Sequence, residues 1–167
     1  VVHNQVVRRS TGTSLFDLAV RQGRRTAAAA YHWVSELYLE APFVPARHRF
    51  HQNAESAIQA GLFYWQDHYP DDHLFSDAEA LRRLNAPDFL LVHSMNVDDA
   101  GHRHGGDSPQ YRNAARRADS ALADYLPQWL AEGYQVMVTA DHGMNAKFGD
   151  DGQPDVIYLQ EVLDNML

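Results

Sequence analysis

Residues 88–95 read DFLLVHSM and residues 134–140 read YQVMVTA. Each is a short aliphatic run bounded by a breaker, Pro87 ahead of the first and Gly133 ahead of the second, which is the pattern of a buried strand. Between them, Pro109 to Ala131 repeats apolar or small side chains at Tyr111, Ala114, Ala118, Leu122, Tyr125 and Trp129, a helical stripe that Gly133 closes. Strand, long helix, strand is a βαβ unit. It predicts two parallel neighbouring strands joined by a right-handed crossover, and an α/β fold class.

Working outward from that unit, Ser14 to Gln22 reads as a helix, capped by Thr13 or Ser14 with Asp17 in its first turn and Gly23 as its stop. Thr26 to Ala30 reads as a buried strand, against the helical preference of an Ala run. Leu74 to Leu84 reads as a second helix, with Ser76 and Asp77 near its start and Pro87 beyond its end. The aromatic-, His- and Pro-rich stretch Ala41 to Asp72 lacks clear periodicity. It is expected to be an irregular insertion, with a short helix around Ala54 to Ala60. No internal repeat or low-complexity tract interrupts the chain, so residues 1–167 are expected to form a single, partial catalytic domain.

Composition narrows the chemistry. Apolar residues make up 45% and charged residues 22% of the 167, as in an ordinary globular protein. A formal charge of −8 does not suit a nucleic-acid coat, and the Arg pairs at 8–9, 24–25, 82–83 and 116–117 are scattered. No apolar run is long enough to cross a bilayer, and no leader of the secretory type opens the chain. The first residues, VVHNQVV, lack an initiating Met and resemble the interior of a protein, so the compartment stays open. The absence of Cys excludes a disulfide framework and any thiolate metal site. A metal must then be held by His and carboxylates, and ten His are present.

Both predicted strands run straight into such residues. DFLLVHSM is followed by Asn96, Val97 and DDAGHRHG, and YQVMVTA by DHGMN. Ligands in open α/β sheets bind outside the carboxyl ends of strands, which is where both clusters are expected. Asp98 and His102 are four apart, and a turn through Gly101 can aim both side chains at one point. Asp141 and His142 are consecutive, and a tight turn at Gly143 can direct both towards neighbouring ions. Carboxylate oxygen with imidazole nitrogen suits Zn²⁺ before Mn²⁺ or Fe²⁺, and disfavours Ca²⁺ and Mg²⁺. Asp98, His102, Asp141 and His142 are therefore the candidate metal ligands. His104 is expected to face solvent or support a ligand, His93 to have a core or interface role, and His48, His51, His68 and His73 show no ligand spacing. Tyr31-His32-Trp33, just past a predicted strand end, are aromatics that can stack on a nucleobase or simply anchor a loop.

The run DxxGHxxG, here Asp98 to Gly105, followed by TADHGM, here Thr139 to Met144, resembles the type I phosphodiesterase/nucleotide pyrophosphatase branch of the alkaline phosphatase superfamily. The similarity extends from about Ser14 through SLFDLAVRQGRRTAAAAYHWVSELY to DHGMN. It implies an alkaline-phosphatase-like, mainly parallel sheet flanked by helices. It also implies a two-zinc site in which Asp98 and His102 bind one ion and Asp141 and His142 the other. The activity implied is hydrolysis of phosphate diesters, nucleotides among them, through a covalent phospho-enzyme.

Three parts of that family's pattern have no match here: an early metal-binding Asp, a hydroxyl nucleophile segment, and a late His after the DHG motif. Ser10 to Ser14 offer hydroxyls but open a helix. The resemblance thus implies an internal piece of a larger catalytic domain, its fold incomplete in this chain and its nucleophile not found. The tail MNAKFGDDGQPDVIYLQEVLDNML is similar to phosphonoacetate hydrolase, a carbon–phosphorus hydrolase of the same superfamily. Within it, DVIYLQEVL is expected to run from a strand or turn into a helix capped near Gln160. A non-catalytic metal-binding or structural piece is the remaining alternative.

Overall fold

A computed structural model describes residues 9–148 and, for the backbone, 154–157. The chain divides into two compact units, Val1–Ser94 and Met95–Leu167.

The first unit is built on a four-stranded sheet. Helix α1 (Leu15–Arg21) starts where expected, because Ser14 and Asp17 form a reciprocal capping box: Asp17 N–H donates to Ser14 Oγ at 3.1 Å and Ser14 N–H to Asp17 Oδ2 at 2.8 Å. Those Ser14 hydrogen bonds hold the Asp17 carboxyl below its ordinary pKa. Strand β1 (Thr26–Tyr31) is buried at all six positions. Its Ala run is extended because strands flank it on both sides, so pairing overrides intrinsic helix preference.

Strand β1 continues into α2 (His32–Tyr38), followed by α3 (Pro45–His48), β2 (Phe50–Gln52) and β3 (Ala60–Tyr64). The strand order is β2-β3-β1-β4, where β4 is Phe89–Val92. Both β3 and β4 run parallel to β1, and β2 is antiparallel to β3. Helix α4 (Asp71–Asn85) lies between β3 and β4 in sequence and ends at Ala86 in the left-handed conformation, just ahead of buried Pro87. The core is formed by Phe16, Ala28, Ala30, Val34, Ile58 and Phe63, with Trp33, Tyr38, Phe89 and Leu91 packed around them.

Two sequence expectations are corrected in this unit. Residues 41–72 are not an irregular excursion, since they contribute β3, a central parallel strand, and its partner β2. The segment Ala54 to Ala60 forms turns leading into β3 rather than a helix, tied to β1 by Thr26 Oγ1 donating to Ala57 O at 2.8 Å and accepting from Gln59 N–H at 3.1 Å. Helix α4 also begins three residues before Leu74, at Asp71 and Asp72, acids that complement a helix N-terminus.

The second unit contains α5 (Asn96–His104), α6 (Pro109–Ala131) and the antiparallel pair β5 (Gly143–Phe148) and β6 (Pro154–Ile157). Helix α6 has the predicted bounds. Ser108 caps it by accepting the Tyr111 N–H at 3.1 Å, and Gly133 ends it with φ 91°. Residues 134–140 form no strand, and Met137 and Val138 are 84% and 77% exposed. The predicted βαβ crossover is therefore absent from the described residues: β4 pairs with β1, and the strand that follows α6 is β5. The strand part of the DVIYLQEVL expectation coincides with β6, whereas the helix near Gln160 lies outside the described residues. No described helix is long and apolar enough to cross a membrane.

Candidate metal centre

The four candidate ligands all lie in the second unit, but not on strand ends as the sequence suggested. Asp98 and His102 sit within α5. Their spacing of four places both on one helix face, so the DxxGH run works by helical periodicity rather than by a turn. Asp141 and His142 immediately precede β5.

Three of the four come together. Asp98 Oδ1 lies 3.3 Å from His102 Nε2 and 3.4 Å from His142 Nε2. The three ligand atoms are all within 4.8 Å of one another. Bonds of 2.0–2.2 Å in a tetrahedral zinc site give ligand–ligand edges of about 3.4 Å, so both edges from Asp98 already have the length that zinc needs.

The chemistry of the donors agrees. Asp98 Oδ1 is shielded from solvent and accepts no hydrogen bond among the described residues, although two imidazole nitrogens face it. A buried carboxylate oxygen in that position costs free energy unless a positive charge completes it. His142 is oriented for ligation: its Nδ1 is 3.0 Å from Gly143 O. A carbonyl can only accept, so that contact calls for a proton on Nδ1 and makes Nε2, 3.4 Å from Asp98 Oδ1, the nitrogen that would ligate a metal. The residues present fit a divalent cation.

Asp141 stands apart. Its side chain is 81% exposed, with Oδ1 accepting the His142 N–H at 3.0 Å and lying 3.8 Å from His142 Nε2. His104 is exposed. In the first unit, His93 packs edge-on against Trp33 at 4.8 Å, and His48 Nδ1 accepts the Val44 N–H. None of these, nor His51, His68 or His73, joins the metal group. Tyr31 is buried with its hydroxyl bonded to Asp67, and His32 and Trp33 open α2. These aromatics anchor the junction between β1 and α2.

The family model for type I phosphodiesterase / nucleotide pyrophosphatase matches residues 3–167. The chain belongs to the type I phosphodiesterase/nucleotide pyrophosphatase family. Its fold is similar to that of murine ectonucleotide pyrophosphatase/phosphodiesterase 5, solved as an inactive variant in complex with AMP. The TM-score is 0.56 at 15% identity, over 85% of this chain and 35% of that one. The chain thus spans about a third of the length of that family structure, and its architecture is the alkaline-phosphatase-like α/β arrangement that the motifs implied.

The sequence did not reveal that Asp98 faces both histidines, nor how closely Gly101 and Gly106 approach β5. Helical i, i+4 spacing was the available signal for the first. For the second, only the density of glycines hinted at close backbone contact.

Proposed function

We propose that this chain supplies part of the metal centre of a phosphoric ester hydrolase of the phosphodiesterase/nucleotide pyrophosphatase type. The centre would act on phosphate diesters and take two zinc ions when complete. The observation that carries this reading is the convergence of His102 Nε2 and His142 Nε2 on one shielded oxygen of Asp98. Family membership supports the reaction class. The AMP bound to the similar murine structure supports a nucleotide as substrate.

The resemblance pairs His142 with Asp141 at the second ion, whereas the grouping of Asp98, His102 and His142 favours these three as the holders of one zinc, with Asp141 beside them as a ligand for the second. When bound, zinc supplies Lewis-acid stabilisation of the phosphoryl oxygens. The work of this chain's own residues is positional. Helix α5 presents Asp98 and His102 from one face, and the Gly143 carbonyl holds the tautomer of His142. Asp98 would offset one of the two positive charges of a dication, leaving the other to attract an anionic phosphoryl group. A covalent phospho-enzyme route requires a hydroxyl nucleophile. Ser14 is engaged in capping α1, and the Asp98 cluster itself offers only carboxylate and imidazole.

The test is to titrate the chain with zinc and to assay it with a chromogenic phosphodiester and with phosphonoacetate, with and without chelator. Zinc binding that disappears in Asp98→Ala and weakens in Asp141→Asn is expected, and any diester turnover should be abolished by the chelator. Turnover of phosphonoacetate alone would reassign the centre to carbon–phosphorus hydrolysis. A chain that binds no zinc would contradict the proposal and leave a structural role.

A further inference from the structure

We propose that Gly101 and Gly106 are positioning residues that clamp β5 onto α5 and so fix the separation between His142 and the Asp98–His102 pair. This inference rests on the metal-centre reading above. Both elements lie in the second unit, and the ligand set is split between them: Asp98 and His102 on α5, His142 at the threshold of β5. Whatever sets the gap between α5 and β5 sets the metal geometry.

The gap is set by missing side chains. A Cβ on Gly106 would lie 2.2 Å from the Met144 carbonyl oxygen and 3.0 Å from its carbon, both backbone atoms that no rotamer change can move. Ordinary contact begins about 1 Å farther out. Gly106 N–H also donates to Asn145 O at 3.0 Å, a direct bond from the end of α5 to β5. A Cβ on Gly101 would lie 2.8 and 2.9 Å from Met144 Cε and Cγ, and 3.1 Å from Tyr111 Cε2. Gly101 is thus the floor on which the Met144 side chain rests.

Glycine is a poor choice inside a helix, where Ala is the better former. Its place at 101, one residue before a candidate ligand, follows from the Met144 contact rather than from helix stability. Between the two glycines, Gly105 has φ 81° and turns the chain out of α5, delivering Gly106 to the β5 backbone. Metal sites tolerate errors of only about 0.2 Å in ligand distance. A shift of β5 large enough to admit a methyl group at 106 therefore exceeds what the pocket can absorb.

The two positions make different predictions. Gly106→Ala should weaken zinc binding roughly 10- to 100-fold, the range seen when groups that orient metal ligands are altered. Met144→Ala should not rescue it, because the clash is with a carbonyl. Gly101→Ala should also weaken zinc binding while raising helix content by circular dichroism, and adding Met144→Ala should restore much of the affinity. A merely structural glycine would move affinity and helix content in the same direction.

The experiment is zinc titration calorimetry on the 167-residue chain and these variants. It is paired with nuclear Overhauser effects, in zinc-free protein, between the Gly101 α-protons and the Met144 methyl and between the His102 and His142 rings. The expected result is the affinity pattern above, with both Overhauser effects abolished in Gly106→Ala. Wild-type affinity in Gly106→Ala, or rescue of Gly106→Ala by Met144→Ala, would overturn the clamp. If the wild-type chain bound no zinc, the functional reading would fail, and the Overhauser effects alone would decide the clamp. Their disappearance in Gly106→Ala supports it, and their survival overturns it.

Discussion

In the first unit every residue of β1 is buried, and Val34, Ile58 and Phe63 close over the strand at 0–1% exposure. In the second, the described core is Met95, Ala114, Ala121 and Trp129, while Val136, Met137, Val138 and Phe148 face outward. The first unit is held by apolar burial around paired strands. The second unit carries its candidate ligands within a short helix and immediately ahead of β5, where the backbones approach closely and charged side chains gather. The two regions therefore respond to different perturbations.

The largest contrast comes from truncating apolar side chains. Phe63→Ala removes a fully buried ring from the first unit and should cost about 3–5 kcal/mol in denaturant unfolding. Met137→Ala, in the exposed segment 134–140, should change stability by no more than about 0.5 kcal/mol. Equal losses at the two sites would break the comparison.

Zinc should act in the opposite sense. At free zinc about 100-fold above its dissociation constant, binding to the native state adds about 2.7 kcal/mol. That gain should appear in hydrogen exchange of α5 and β5 amides, be absent from β1 and β3, and vanish in Asp98→Ala. Protection spread evenly through both units would refute a site confined to the second.

These two contrasts also mark how far the sequence could be read. The elements α1, β1, α4, β4 and α6 were legible because their caps, breakers and periodicity are local. β3 was not, since AGLFY (60–64) is short and opens with Ala and Gly; it is a strand because β1 and β2 flank it. The run YQVMVTA failed in the other direction. Its composition favours a strand, but strand formation requires a partner, and among the described residues it has none. The candidate site was legible as residue types at suggestive spacing. Its geometry was not, because nothing local reveals that Asp98 faces both His102 and His142, or that Gly106 meets the Met144 carbonyl.

A smaller effect sharpens the first unit's account. Ser14→Ala removes the capping box of α1 and should cost about 1 kcal/mol. The contribution of Asp17 depends on pH. Its pKa is lowered in the folded state, chiefly by the Ser14 hydrogen bonds, so its stabilisation is present above the unfolded carboxyl pKa of about 3.9 and is lost as pH falls through the lower folded value. Melting of Ser14→Ala should show less of this acid loss than wild type.

The smallest effect is a mild acid sensitivity near neutrality. Burial pushes the pKa of His32 below its ordinary value despite the neighbouring Glu36, and burial does the same at His51. Below about pH 6.5 the unfolded chain takes up protons that the folded one resists. The stability these residues contribute is therefore full above that pH and declines as pH drops towards their folded values. Protection of β1 and β3 amides, taken relative to their intrinsic exchange rates at each pH, should fall on acidification from about pH 7.5 to about pH 5.5, and replacing both histidines with Gln should flatten the response.

The most direct test of the central claim is ¹⁵N spectroscopy of the imidazoles during a zinc titration. If Asp98, His102 and His142 form one site, the Nε2 resonances of His102 and His142 should shift together and saturate at one equivalent, while those of exposed His104 stay in place. Independent shifts at different stoichiometries, or a response from His104 equal to theirs, would contradict it.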